Sequence, residues 1–103
     1  MAKLHITEFS NLQNAVGVGH AQESAQLPML PPVAQQVVTF TTTTQSAALN
    51  ASTRFVRLIA DADCHIEVGA NPTATTSSMK LIAGAPEYFG VNAGQKIAAV
   101  TAA

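Results

Sequence analysis

Five short apolar runs lie almost back to back between Thr53 and Val100: TRFVRLIA, CHIEV, SMKLIA, PEYFGV and KIAAV. Turn-forming stretches separate them: Asp61-Ala62-Asp63, Gly69 to Ser78, Ala83 to Pro86 and Asn92-Ala93-Gly94. Short runs with such punctuation read as the strands of a compact antiparallel β domain. An open flat sheet of this content would leave long edges exposed, so two packed sheets of seven or so strands are expected.

The alternation within the runs sets their faces. Val56, Leu58 and Ala60 share one parity, as do Cys64, Ile66 and Val68, and all six are expected to point into a core. If Asp61-Ala62-Asp63 closes a hairpin, Ala60 opposes Cys64, Leu58 opposes Ile66 and Val56 opposes Val68. Arg57 then meets Glu67 across the strands, a pair worth about 0.2–1 kcal/mol. Phe55 and Ile59 share the face of Arg57, so that face is mixed and suited to partial cover by an arm or a neighbour. Met79 to Ala83 and Glu87 to Val91 read as a second hairpin, with Phe89 and Val91 toward the core and Tyr88 outward. Gly94 is expected at positive φ before a last strand from Lys96 to Val100.

Upstream the pattern changes. Residues 2–9, AKLHITEF, alternate as a strand, with Leu4 and Ile6 on one face, paired in the chain's own sheet or across a subunit boundary. Residues 10–36 are rich in Asn, Gln, Gly and Ala, and Leu27-Pro28-Met29-Leu30-Pro31-Pro32 forbids a regular helix. Only a weak helical turn is expected, around Ala21 to Gln26. Residues 1–35 therefore read as an N-terminal strand with an extended, proline-containing arm, and 36–103 as the β-sandwich domain. On that reading, removing residues 1–32 weakens attachment to a partner more than it harms the β domain. The apolar stretch Leu27 to Val33 packs on its own domain or on a partner.

Composition narrows the function. Charged residues make up 11% of the 103, against roughly 25% in ordinary soluble domains. Such a weakly charged surface suits a protein covered by partners. Net charge is −1, and the five Lys and Arg residues are scattered. Nucleic-acid binding, which needs clustered cations, is not expected. No apolar run reaches the roughly 18 residues of a membrane span. The N-terminus lacks the apolar core of a signal peptide, so use without export is expected.

No catalytic, cofactor-binding or metal-binding residues are expected. His5, His20 and His65 lie in three separate zones without ligand spacing. Asp61 and Asp63 lack the glycine and distal glutamate of a calcium loop and suit a turn. Gly17-Val18-Gly19-His20 lacks the rest of a phosphate loop, and Asn50-Ala51-Ser52 is a chance sequon. Cys64, the single cysteine, reads as a small buried hydrophobe. The chain is expected to be a surface for holding other molecules, not an enzyme.

The chain resembles a family of small virion proteins of tailed bacteriophages. The resemblance runs over Arg54-Phe55-Val56-Arg57-Leu58, the turn Val68-Gly69-x-Asn71-Pro72-Thr73-Ala74, Glu87-Tyr88-Phe89-Gly90-Val91, Gly94-Gln95-Lys96-Ile97-Ala98 and the start Ala2 to Phe9. It implies a jelly-roll-like β-sandwich acting as a capsid decoration or cement protein on the outside of an icosahedral head. The implied partner is the major capsid protein, bound by a dimer or trimer of this chain made in the host cytoplasm. Candidate contacts are Leu4, Ile6, Phe9, Leu27, Met29, Leu30 and Tyr88. The alternative is another virion part, a head-fibre or tail-associated adaptor or receptor-binding module.

Overall fold

The computed structural model describes residues 2–16 and 24–102. They form an all-β protein, with no helix among the described residues. The strands are β1 (Ala2–Phe9), β2 (Leu12–Val16), β3 (Ser24–Pro28), β4 (Ala34–Phe40) and β5 (Thr44–Gln45), followed by β6 (Phe55–Ala60), β7 (Cys64–Gly69), β8 (Met79–Leu81), β9 (Glu87–Gly90) and β10 (Lys96–Thr101). Two four-stranded antiparallel sheets pack together, one ordered β4-β1-β6-β9 and the other β5-β10-β7-β8. A separate hairpin pairs β2 with β3.

The predicted faces are correct and the predicted hairpins are not. Val56, Leu58, Ala60, Cys64 and Ile66 are all buried in one core with Leu4, Ile6, Val38, Phe40, Leu81 and Ile97, and Val68 packs against it. Yet β6 and β7 lie in different sheets. The segment Asp61 to Asp63 is an arch that carries the chain from one layer to the other, turning the apolar face of β7 onto that of β6. Arg57 therefore does not meet Glu67. Its register partners are Thr7 and Tyr88, and those of Glu67 include Ala98. The second expected hairpin fails in the same way: β8 pairs with β7, and β9 with β6. Alternation fixes which side of a strand is apolar, and an arch satisfies that constraint by facing two strands where a hairpin would place them side by side.

The two aspartates of the first arch each tie a strand that is remote in sequence. Asp61 Oδ1 accepts the Lys3 backbone N–H at 2.7 Å, and Asp63 Oδ1 accepts that of Ala83 at 2.8 Å. At the β9–β10 corner, Gly94 has φ of 80°, as its position in the turn predicts.

The N-terminal region differs most from expectation. β1 is the strand that its alternation predicts, and it pairs in the chain's own sheet, between β4 and β6, with Leu4 opposite both Val38 and Ala60. A boundary after residue 35 would cut a central strand out of the sandwich. Residues following β1 form the β2–β3 hairpin, and Ser24–Pro28 is strand where a helical turn was expected. Ala21 to Glu23, and the Gly17 to His20 segment, lie outside the described residues. The hairpin accounts for the long axis of 51 Å in a molecule 27 by 21 Å across, because strands of six to eight residues span only about 20–27 Å.

Candidate interaction face

The outer surfaces of the two sheets are unlike each other. The loop from Ala70 to Ser78 folds over the β5-β10-β7-β8 sheet. Gln45 Nε2 donates to Asn71 Oδ1 and to the Pro72 carbonyl, both at 2.8 Å, and the Ala74 N–H donates to Thr43 Oγ1 at 3.0 Å. Pro72 and Ala74 are buried in consequence. Ala98, whose parity is opposite to that of core-facing Ile97 and Ala99, is nevertheless fully buried. His65 Nδ1 donates to the Ser78 carbonyl at 2.9 Å, and Ser78 Oγ donates to Glu67 Oε1 at 3.0 Å. His65 is thus a ring satisfied by its own loop.

Among the described residues none covers most of the outer surface of the β4-β1-β6-β9 sheet, where His5, Gln35, Val37 and Tyr88 are exposed. Register places its residues in rows across the strands. Val37, His5 and Ile59 form one row, and Gln35, Thr7, Arg57 and Tyr88 the next; Phe9, Phe55 and Gly90 form the row nearest the hairpin. In that last row the Phe9 and Phe55 rings stack, with centroids 5.0 Å apart and planes 15° apart, a cross-strand pair worth about 0.5–1.5 kcal/mol beyond area burial.

The base of the hairpin folds toward this end of the sheet. Met29 N–H donates to the Asn11 carbonyl at 3.1 Å, and Val33 N–H to that of Glu8 at 2.9 Å. Between hairpin and sheet runs a groove of about 550 Å³ lined by Leu12, Leu27, Pro28, Phe55 and Tyr88. It continues past Tyr88 into a depression shared by Thr7, Phe9, Pro28, Leu30 and Arg57. Leu12, Leu27, Leu30 and Tyr88 are each about half or more exposed, so a contiguous apolar patch faces solvent, the kind of surface that marks a binding site.

The sequence-derived contact residues divide in two. Leu4 and Ile6 are core, at 0% and 1% exposure, and Phe9 is covered on the outer face; these three are already occupied by the chain itself. Leu27, Leu30 and Tyr88 meet at the groove, and Met29 is exposed beside them. Leu12 and Pro28 were not singled out as contacts from sequence, and Arg57 was assigned to Glu67. Phe55 was foreshadowed, since the mixed Phe55–Arg57–Ile59 face was expected to be partly covered. Leu12 carried no legible signal, because a single leucine in a polar segment reads as background.

Among the described residues no group of three His, Cys, Asp or Glu side chains could hold a metal ion, and no helix is long and apolar enough to cross a membrane. Cys64 is buried, and burial together with nearby Asp63 pushes its thiol up to about 11. No family model, curated protein or solved structure matches the chain.

Proposed function

We propose that this chain is a bacteriophage capsid decoration protein that binds the outside of an icosahedral head and ties neighbouring major capsid subunits together. The observation that carries the reading is the asymmetry of the sandwich. The loop from Ala70 to Ser78 lies on one sheet, while the other presents a mixed face whose apolar patch at Phe55 and Tyr88 is continued by the β2–β3 hairpin. A rigid body with one bare face and an extension can touch two subunits at once, and many copies around a shell gain avidity from modest contacts. The low charge and the resemblance of the strand and turn segments to small virion proteins support the same reading.

We also infer that the sandwich is a jelly roll. Strands β4, β5, β6 and β7 pair in turn with β1, β10, β9 and β8. This is the pairing of one long antiparallel ribbon rolled up so that β1 meets β6 and β10 meets β7. The strand expected last along the ribbon is here supplied first, by β1.

Expanded heads that lack the protein test the reading. Co-sedimentation saturating near one copy per major capsid subunit is the expected result. Failure of the intact chain to bind such heads overturns it.

A further inference from the structure

Resting on the shell-binding reading, we propose that the groove beside β9 receives one extended segment of the capsid protein. That segment carries an acidic residue two positions from an apolar one and is added as a strand on the free edge of β9.

Three features of the groove specify this occupant. First, among the described residues β9 ends its sheet and pairs with β6 alone, so its other edge has backbone donors and acceptors available for an added strand. Second, the groove beside that edge is apolar, with Leu12, Leu27, Phe55 and Tyr88 on its walls. Third, the depression that continues it contains one formal charge, the half-buried Arg57.

Arg57 stands between Thr7 and Tyr88, neither of them a carboxylate. Asp61, which lines a neighbouring depression with Arg57, is four residues further along the chain, about 13 Å at strand rise. One of its oxygens is held by the Lys3 N–H. Glu87 has the opposite parity to Tyr88 and so leans toward the other face of the sheet. Among the described residues no carboxylate is placed opposite Arg57, so one brought in by a partner complements this site, and an Arg–carboxylate pair against an apolar wall is geometrically selective.

The spacing follows from the register. The Phe55 and Arg57 rows are two residues apart on β6, about 6.6 Å, which is also the repeat of same-face side chains in an added strand. An apolar side chain seated in the groove thus places the residue two positions away level with Arg57. The guanidinium arm and a partner Glu together bridge the two strand spacings, about 10 Å, that separate β6 from the new strand.

The test uses the full chain, heads lacking the protein, and short overlapping peptides spanning the major capsid sequence. Arg57→Glu and Tyr88→Ala are expected to weaken head binding about tenfold or more, with thermal unfolding unchanged within a few degrees. Lys80→Glu, on the opposite sheet, is expected to leave binding unchanged. A peptide with the apolar-x-acidic pattern should bind the wild type and lose affinity for Arg57→Glu. Replacing its acidic residue by Arg should restore binding to that variant. If wild type and both groove variants bind heads equally, the groove proposal falls while the shell-binding reading stands. If the wild type does not bind heads, both fall. If the groove variants alter only self-association in sedimentation, the occupant is a second copy of this chain and the proposal is overturned.

Discussion

Glu8 gives the sharpest test of how the sandwich is closed. Its parity points it inward, and it is 2% exposed. Oε1 accepts the Asn50 N–H at 2.7 Å and the Thr53 hydroxyl at 2.8 Å, and Oε2 accepts Gln36 Nε2 at 3.2 Å. One side chain on β1 therefore fastens β4 and the loop leading into β6. In Glu8→Ala the Thr53 hydroxyl, itself fully buried, loses its acceptor, and the Asn50 N–H must turn to water. Gln36 keeps its bond to the Ala47 carbonyl. An unsatisfied buried donor costs about 1–3 kcal/mol and a lost hydrogen bond about 0.5–1.5, so a loss of about 2–4 kcal/mol is expected. For a chain of this length the total is about 5–15 kcal/mol, and Tm should fall by about 10–25 °C. Glu8→Gln can keep both Oε1 bonds and turns an amide toward the Gln36 amide, losing only that contact, about 0.5–1.5 kcal/mol. Urea unfolding of the three proteins at equal m-value measures this. The reasoning is refuted if Glu8→Ala lies within about 1 kcal/mol of wild type, or if the glutamine variant is as damaged as the alanine one.

Cys64 should resist thiol reagents at pH 8 in the native protein and react only on unfolding, which a timed disulfide-exchange assay with and without denaturant reads directly. Its thiol rises from 9.0 to about 11 on burial beside Asp63. The neutral form is thus favoured in the fold, and its contribution to stability is complete below pH 9 and lost as pH climbs through 11. Cys64→Ala should show a shallower decline over that window in denaturation series. Deleting residues 1–9 should abolish cooperative thermal unfolding by circular dichroism. Replacing residues 13–26 with a short turn should leave Tm within a few degrees. Gly94→Ala should destabilise by about 1–2 kcal/mol, because φ is +80° and nothing else crowds the position. Gly69→Ala, in open space without positive φ, should be neutral or stabilising by up to about 1 kcal/mol in the same urea titration.

The sequence was informative about faces and silent about neighbours. Val56, Leu58, Cys64 and Ile66 were assigned inward from alternation alone, and they are inward. Their pairing depended on whether three residues, Asp61 to Asp63, turn within a sheet or between sheets, and both solutions hide the same side chains. What decides is the rest of the fold: β1 and β10 fill the places beside β6 and β7 that a hairpin would have used. No local pattern announces that Leu4 will oppose Ala60. The same limit explains the N-terminal region. Prolines 28, 31 and 32 correctly excluded helix, but extended backbone serves an arm and a hairpin equally. The groove was half legible, since Leu27, Leu30 and Tyr88 stood out as apolar residues without an obvious core role. Arg57 was assigned to Glu67 and so hidden by the mistaken hairpin.

The arches also govern how slowly the chain must find its structure. Within the sandwich, β7 and β8 are consecutive strands that pair with each other, whereas β1 waits for β4 and then β6. A ribosome releases Leu4 and Ile6 long before Leu58 exists to cover them. Such nonlocal topologies close large loops before any contact rewards them and fold in about milliseconds to seconds. During that interval a weakly charged chain has little repulsion to keep unfinished copies apart. Yield in a crowded cell should therefore respond more to synthesis rate and temperature than the equilibrium stability of the finished sandwich suggests.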